Sequence, residues 1–194
     1  MKLIDRIVLT ARQNGIINVV IAGGTCSGKS TLAETIKSQL SGNFSIGVLE
    51  QDNYFKNLED FPRGEYGYLP DSLYAFHTQE FRDDAGNLIN LGSIFTPRYD
   101  KETNRRTAKD VPVKRGEINV FEGLHTISLL KDLDNCLRVF LDTDLKVCME
   151  RRIARDTRLY GIQKELVVKF FEREILPMHK EFVSPQKAYA DLVI

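Results

Sequence analysis

The apolar positions of this chain fall into short continuous runs separated by amphipathic stretches. Five runs of mainly apolar residues predict buried strands, at residues 16–22, 44–49, 117–122, 137–142 and 190–194. Between these runs, apolar residues recur at helical spacing, which predicts helices near residues 3–8, 31–40, 145–158 and 163–182. Strands that alternate with helices predict an α/β fold in which helices cover both faces of a parallel sheet.

The regular pattern weakens between residues 53 and 116. One short helix is predicted near residues 74–83, and residues 93–116 are predicted to form a hairpin or an extended loop. Pro177 is expected to kink or end the last long helix, because proline lacks an N–H donor and its ring clashes with the preceding turn. We therefore expect a single domain over residues 1–194 with an insertion at about 53–116.

Residues 23–30 read Gly-Gly-Thr-Cys-Ser-Gly-Lys-Ser and match the phosphate-binding pattern G-x-x-x-x-G-K-[ST]. They lie between a predicted strand and a predicted helix, which is the context that this loop requires. Backbone N–H groups at the helix N-terminus attract phosphates, Lys29 adds a positive charge, and the Ser30 hydroxyl can ligate Mg²⁺. The candidate nucleotide-binding residues are Gly23, Gly24, Thr25, Cys26, Ser27, Gly28, Lys29, Ser30 and Thr31.

Three carboxylates stand at the carboxyl ends of predicted strands, where ligands bind in parallel sheets. Asp52 follows the second strand, and it is either a general base or an ordinary turn residue. Glu122 ends the third strand and can hold Mg²⁺ directly or through water, while Asp142 is the rival for that role.

Four arginines lie close together on the predicted helix at 145–158. Arg151, Arg155 and Arg158 share one face, and Arg152 lies beside them. Guanidinium groups suit the charge that spreads over a transferred phosphoryl group. The alternative is a solvated helix face on which the arginines pair with Glu150 and Asp156.

Composition narrows the range of partners. The 194 residues carry 27 Lys+Arg and 27 Asp+Glu, so net charge gives no reason to expect a nucleic-acid partner. Three scattered cysteines fit a reducing compartment, and the sequence has neither a signal-peptide core nor a run long enough to span a membrane. We expect a cytoplasmic protein. The patterns leave the oligomeric state open, a homo-oligomer included.

Four stretches of the chain resemble the uridine kinase and phosphoribulokinase family of P-loop small-molecule kinases. They lie at residues 23–31, at 51–56 (Gln-Asp-Asn-Tyr-Phe-Lys), at 122–125 (Glu-Gly-Leu-His) and, in order, along 142–194. The resemblance implies a three-layer, nucleotide-kinase-like P-loop NTPase fold with five parallel strands in the order 2-3-1-4-5. It also implies that ATP and Mg²⁺ are used, with Asp52 as catalytic base beside Lys29. It further implies that Ser30, Asp52 and Glu122 surround Mg²⁺ and that Arg152 and Arg155 are lid cations.

The region expected to contact the acceptor departs from the family pattern. The lid reads Leu-Tyr-Gly-Ile at 159–162, where uridine kinases have Glu-Arg-Gly-Arg, and Asn104 stands where a base-reading histidine is expected. The candidate acceptor-binding residues are Tyr54, Tyr68, Tyr99, Asn104, Arg106 and His125. The aromatic residues of this region could equally be core packing. The basic residues between 98 and 115 either form a solvated hairpin or contact a phosphorylated or carboxylated acceptor.

These patterns together predict an enzyme that phosphorylates a hydroxyl group of a small metabolite with ATP. The resemblance favours a uridine kinase-like activity, with pantothenate, a sugar phosphate or another non-pyrimidine compound as the alternative acceptor. A regulatory nucleotide-binding protein is the rival from another class, although the chain lacks the Asn-Lys-x-Asp segment of GTP switches. An inactive kinase-like protein is the third alternative, because two lid arginines are missing.

Overall fold

The computed structural model describes residues 2–194, which form a central parallel sheet with helices on both faces. The strands are, in chain order, β1 (Ile17–Gly23), β2 (Ile46–Glu50), β3 (Arg63–Gly64), β4 (Gly67–Tyr68), β5 (Ser93–Thr96), β6 (Tyr99–Asp100), β7 (Arg105–Arg106), β8 (Val111–Lys114), β9 (Ile118–Gly123), β10 (Cys136–Leu141) and β11 (Leu192–Val193). The helices are α1 (Leu3–Asn14), α2 (Lys29–Leu40), α3 (Thr78–Leu91), α4 (Thr126–Leu129), α5 (Leu145–Tyr160), α6 (Lys164–Phe170) and α7 (Leu176–Met178).

Within residues 2–194, five parallel strands form the central sheet in the spatial order β11-β10-β1-β9-β2. Numbered along the chain, these five strands stand in the order 2-3-1-4-5. All seven residues of β1 and all six of β9 are buried, because helices cover both faces of the middle of the sheet. This explains why these strands appear in the sequence as nearly unbroken apolar runs.

Alternate residues of the central strands supply two separate cores. On one face, Val19 and Val120 pack with α1 and α2, whose buried side chains include Ile36. On the other face, Val20 and Phe121 pack with α3, α4 and the segment that follows β2. The α/β fold predicted from the apolar runs is confirmed.

The parallel register brings the ends of three strands to one edge of the sheet. Glu122 of β9 is aligned with Ile21 of β1 and with Glu50 of β2. The phosphate-loop residues that follow β1 and the turn that follows β2 therefore lie on either side of Glu122. The topology thus determines which polar residues can meet.

The inserted region contains a longer helix than the sequence pattern indicated. A short helix was expected near residues 74–83, whereas α3 runs for 14 residues and begins at Thr78. Gly86 is a poor helix former, but a Cβ at this position would meet open space, and a glycine within a helix costs only about 1 kcal/mol. The burial of Phe81 and Leu88 against the core outweighs that cost. Residues 93–114 form a hairpin, one of the two alternatives predicted for this stretch, in which β5 pairs with β8 and β6 pairs with β7 nearer the tip.

Of the two outcomes expected at Pro177, a kink or an end, the helix does not end there. The helical path continues from α6 through π-helical turns at Phe171–Ile175 and His179–Val183, with α7 between them. A π turn widens the helix and changes its hydrogen-bond spacing, which accommodates a residue that has no N–H to donate. A 3₁₀ segment at Ser184–Tyr189 then leads into β11.

None of the helices in the described part of the chain, residues 2–194, has the length and apolar character needed to cross a membrane.

We expect two leucines of α3 to differ sharply in their contribution to stability. Leu88 is fully buried and Leu91 is 72% exposed on the same helix. Leu88→Ala should lower the free energy of unfolding by about 2–5 kcal/mol, because it removes buried methyl groups and leaves a cavity. Leu91→Ala should change it by less than about 0.5 kcal/mol. Urea unfolding of both variants tests this, and similar losses for the two would contradict the packing described for α3.

Candidate active site

The phosphate loop forms a tight turn between β1 and α2. Its backbone leaves no room for a side chain at Gly23, where a Cβ would lie 2.8 Å from the carbonyl oxygen of Leu141. Gly28 has a φ of 104°, which favours glycine, and α2 begins at the next residue. Lys29 Nζ donates a hydrogen bond to the carbonyl oxygen of Gly24 at 2.8 Å. The lysine is thus folded back over the loop, beside the N-terminus of a 12-residue helix where anions are favoured.

A cavity of about 1160 Å³ opens in front of this loop. It brings together residues of the loop, the turn after β2, the end of β9, the hairpin and α5. The sequence-predicted residues that line it are Thr25, Cys26, Ser27, Gly28, Lys29, Ser30, Thr31, Asp52, Tyr68, Tyr99, Asn104, Glu122, Arg152 and Arg155. Residues that are up to 130 positions apart in the sequence therefore face one space.

Ser30 and Glu122 line this cavity side by side. Ser30 Oγ donates a hydrogen bond to Glu122 Oε1 at 2.8 Å. Burial and the negative charges of Asp52 and Glu50 raise the pKa of Glu122 to about 7, although Lys29 and the Ser30 hydroxyl oppose the shift. The negative charge of Glu122 is therefore compensated only in part.

These groups fit Mg²⁺. The ion prefers oxygen ligands and usually takes one or two carboxylates together with phosphate oxygens and water, which matches the Ser30 hydroxyl beside Glu122 and Asp52. Residues 2–194 contain no group of three or more His, Cys, Asp or Glu that could form a cage made of protein alone. The rival carboxylate Asp142 forms an ion pair with Lys187 at 2.5 Å and does not line the cavity.

Asp52 lines the same cavity as the loop and belongs to the 3₁₀ turn Gln51–Tyr54 that follows β2. Its Oδ2 is 3.2 Å from Lys101 Nζ, and Lys101 also lines the cavity. Lys101 was not among the candidate site residues, because the sequence placed it in a basic hairpin without indicating what it faces. Two signals were available: its position directly after Tyr99-Asp100, and the alternative that the basic residues between 98 and 115 contact a phosphorylated or carboxylated acceptor.

The arginines of α5 attach this helix to the phosphate loop. Arg152 is buried, donates to Thr25 Oγ1 at 3.0 Å, and forms ion pairs at 3.3 Å with both Asp71 and Asp156. Arg155 Nε donates to Asp156 Oδ1 at 2.7 Å. The sequence left open whether these arginines pair with Asp156 or face a phosphoryl group. Arg152 and Arg155 both pair with Asp156, and both also line the cavity.

Three predicted acceptor residues lie outside the cavity lining, which corrects the expectation that they contact the acceptor. Tyr54 is fully buried and donates to Asp84 Oδ2 at 2.7 Å, and Arg106 forms an ion pair with Glu80. His125 is also fully buried, and its Nε2 donates to the carbonyl oxygen of Asp71 at 3.1 Å. Burial lowers the pKa of His125 to about 4, so the ring is neutral near pH 7. All three side chains are used to hold neighbouring segments in place.

An aromatic wall, formed by Phe55, Phe61, Tyr68 and Tyr99, lines part of the cavity. Phe55 stacks on Phe76 with ring centroids 4.1 Å apart, and it also contacts Phe61 and Tyr99. The rings of Phe55, Phe61, Tyr68 and Tyr99 line the cavity while also packing on the core. The aromatic cluster is thus shared between core and cavity, with fully buried Tyr54 on the core side.

The chain matches the model of the phosphoribulokinase/uridine kinase family over residues 18–194. It is 34% identical to a uridine kinase of Clostridium botulinum (strain Kyoto / Type A2) over 179 residues, which cover 90% of this chain and 85% of that protein. It is 30% identical to a uridine kinase of Vibrio campbellii over 195 residues, covering 94% of this chain and 88% of that protein.

Solved structures of kinases share the fold. A candidate fructose transport system kinase from Silicibacter sp. TM1040 superposes with a TM-score of 0.78 at 21% identity, covering 100% of this chain and 99% of the other. A candidate uridine kinase from Bacillus stearothermophilus superposes with a TM-score of 0.67 at 19% identity, covering 100% of both chains. At these identities the likeness extends to the fold alone.

The stability of the wild type should depend on pH through Glu122, and the variant Glu122→Gln should lack this contribution. The folded protein binds the Glu122 proton more tightly than the unfolded chain, because the pKa rises from 4.5 to about 7 on folding. The wild type should therefore lose stability relative to the variant as pH rises from 4.5 to 7, by about 3 kcal/mol at most. Urea unfolding in EDTA across this range gives the difference.

Subtracting the variant cancels the opposite contribution of His125, whose lowered pKa makes the folded state more stable as pH rises. A difference between wild type and variant that stays constant from pH 4.5 to 7 would contradict the burial of a proton-binding carboxylate at this edge.

Proposed function

Because the chain belongs to the phosphoribulokinase/uridine kinase family, we propose that it transfers the γ-phosphoryl group of ATP to a hydroxyl group of a small metabolite. The observation that supports this proposal is that Asp52 lines the same cavity as the phosphate loop. A carboxylate in this position can accept a proton from a hydroxyl group that attacks a phosphate held by the loop. The arrangement also supplies cations around the transferred group.

The loop and α2 would bind the triphosphate of ATP. Backbone N–H groups at the start of α2 favour the phosphate charge, and Lys29 adds an ammonium group from within the loop. Ser30, Asp52 and Glu122 would hold Mg²⁺ directly or through water. When bound, Mg²⁺ neutralises charge on the phosphate oxygens and helps to orient them.

Asp52 would act as the general base. It takes the proton of the acceptor hydroxyl while the hydroxyl oxygen forms a bond to the γ-phosphorus. The bond between that phosphorus and the bridging oxygen of ADP breaks, and ADP leaves with the electron pair. The proton on Asp52 is later released to water, so the carboxylate is restored.

Arg152 and Arg155 would stabilise the charge on the γ-phosphoryl oxygens during transfer. Arg152 is fixed by Asp71, Asp156 and Thr25, so its position requires little reorganisation. Arg155 is more exposed, with 40% of its side chain accessible, and is freer to follow the substrate. Tyr99 and Asn104 of the hairpin and Tyr68 of β4 would contact the acceptor. The similarity to uridine kinases makes uridine the first acceptor to test, with pantothenate and sugar phosphates as alternatives.

Asp52→Asn should lower kcat by about 10²-fold or more, because an amide cannot accept the hydroxyl proton. Nucleotide affinity should stay close to that of the wild type, since the loop is untouched. Asp142→Asn is the matched control, because Asp142 also follows a central strand but pairs with Lys187 outside the cavity lining. Coupled ADP-release assays with an active acceptor and titrations with an ATP analogue measure the two quantities. Unchanged kcat in Asp52→Asn would remove this residue from the mechanism.

Lys29→Ala should weaken nucleotide binding as well as turnover, since it removes the ammonium group at the loop. Lys37→Ala serves as control, because Lys37 lies exposed near the other end of the same helix. Calorimetric titration with the ATP analogue compares the two variants. Wild-type affinity in Lys29→Ala would argue against phosphate binding at this loop. ATP hydrolysis stimulated by a macromolecule, without phosphorylation of any small hydroxyl compound, would instead favour the regulatory alternative.

A further inference from the structure

The ion pair between Lys101 and Asp52 is the feature from which we draw a further inference. Its atoms are 3.2 Å apart, and both residues line the cavity. The exposed fractions are 61% for the Lys101 side chain and 40% for that of Asp52. An ion pair this accessible contributes little to stability, typically 0–1 kcal/mol. The stability of the fold therefore does not explain why a lysine lies beside the proposed catalytic base.

The hairpin holds Lys101 in place. Asp100 Oδ1 accepts hydrogen bonds from the backbone N–H groups of Glu102 and Thr103, which closes the turn that contains Lys101. Asn53 Oδ1 accepts from the backbone N–H of Tyr99 and ties the hairpin to the turn that contains Asp52. Lys101 thus stands on a backbone fixed to the base that it faces.

A second anchor lies further along the hairpin. Arg106 and Lys109 both pair with Glu80 of α3, and Lys109 also pairs with Asp84, which accepts a hydrogen bond from the Tyr54 hydroxyl. These contacts hold the hairpin against the core. Arg106 and Tyr54, which the sequence suggested as acceptor contacts, therefore position the hairpin.

The ammonium group of Lys101 has bonding capacity to spare. An ammonium group has three N–H donors, and Asp52 Oδ2 accepts one of them. A lysine side chain carries a positive charge at neutral pH. Two charged donors therefore remain for a ligand in the cavity.

Most of the cations that line the cavity belong to the phosphate loop or to α5. Outside these two elements, the cations among the described cavity-lining residues are Lys101 and Lys169. Lys169 Nζ lies 4.7 Å from the centroid of the Tyr66 ring. Of the two lysines, Lys101 is the one that contacts Asp52, so it lies beside the place where the acceptor hydroxyl would bind.

We propose that Lys101 binds a carboxylate or phosphate group of the acceptor and so makes the enzyme select anionic hydroxy compounds. This inference rests on the proposed function and adds the substrate class. The acceptor hydroxyl donates to Asp52 while its anionic group accepts from Lys101. Hydrogen-bond lengths then limit the distance between the hydroxyl oxygen and the anion to no more than about 9 Å. A neutral acceptor would compete with Lys101 for Asp52 and would gain no charged contact in return.

Matched acceptor pairs test the selectivity: glycerate with glycerol, pantothenate with pantothenol, and ribulose 5-phosphate with ribulose, with uridine as a neutral reference. We expect kcat/KM to be at least about tenfold higher for the anionic member of the pair that is turned over. The first two pairs probe a carboxylate and the third probes a phosphate, so the panel also distinguishes the two anions.

Lys101→Met should remove the preference, mainly by raising KM for the anionic acceptor about 10- to 100-fold while leaving KM for ATP unchanged. Lys101→Arg should retain most of the preference, since it keeps the charge. Lys114→Met is the control, because Lys114 is an exposed lysine of β8 that does not line the cavity. Equal kcat/KM for charged and neutral members in the wild type, or equal effects of Lys101→Met on both, would overturn the inference while leaving the kinase proposal intact.

If none of these compounds is turned over, the binding of the same compounds is measured instead. Reductive methylation of Lys101, followed by mass spectrometry, measures its protection by each compound in the presence of an ATP analogue. Protection by anionic members alone supports the inference. Equal protection by both members of every pair, or no protection at all, overturns it. A failure of the ATP analogue to bind would count separately, against the proposed function.

Discussion

The hydrogen bond between Ser30 and Glu122 joins the two halves of the site. It links the first turn of α2 to the end of β9 at 2.8 Å, and it lies where the sheet, the phosphate loop and the turn after β2 converge. The carboxylate that accepts it is 5% exposed and has its pKa raised by burial and by neighbouring negative charge. Burying such a group is costly unless something positive compensates for it. The buried negative charge therefore lies where a cation bound to the phosphates would stabilise it.

The parallel sheet makes this convergence unavoidable. In β1, β9 and β2 the chain direction is shared, so all three strands end at the same edge. Buried apolar side chains on both faces fix the register, and a shift by one residue would turn each side chain to the opposite face. Core packing thus sets the positions of the polar groups, although those groups add little to the core themselves.

The selectivity that we propose for the acceptor depends on a different part of the molecule. The hairpin is anchored by buried and half-buried polar contacts, among them those of Arg106 with Glu80 and of Tyr54 with Asp84. These side chains resemble acceptor contacts in the sequence because they are polar or aromatic and lie in the divergent region. In the structure they hold the hairpin in place, and Tyr99, Lys101 and Asn104 reach the cavity from it. A region can therefore determine specificity both through residues that line the cavity and through those that anchor them.

The sequence alone identified the α/β class, the phosphate loop and the carboxylates at the strand ends. Each of these follows from a local signal: an apolar run, a glycine spacing, or a polar residue directly after a strand. Local signals predicted too short an α3, because they do not include the burial of Phe81 and Leu88 against the core. They left open whether Pro177 kinks or ends the last helical segment, and π turns carry the helical path past it. Only the tertiary structure decided that Lys101 faces Asp52 and that Asp71 holds Arg152. The partners in these pairs are 49 and 81 residues apart, and distant residues meet only where the packed sheet and helices bring them together.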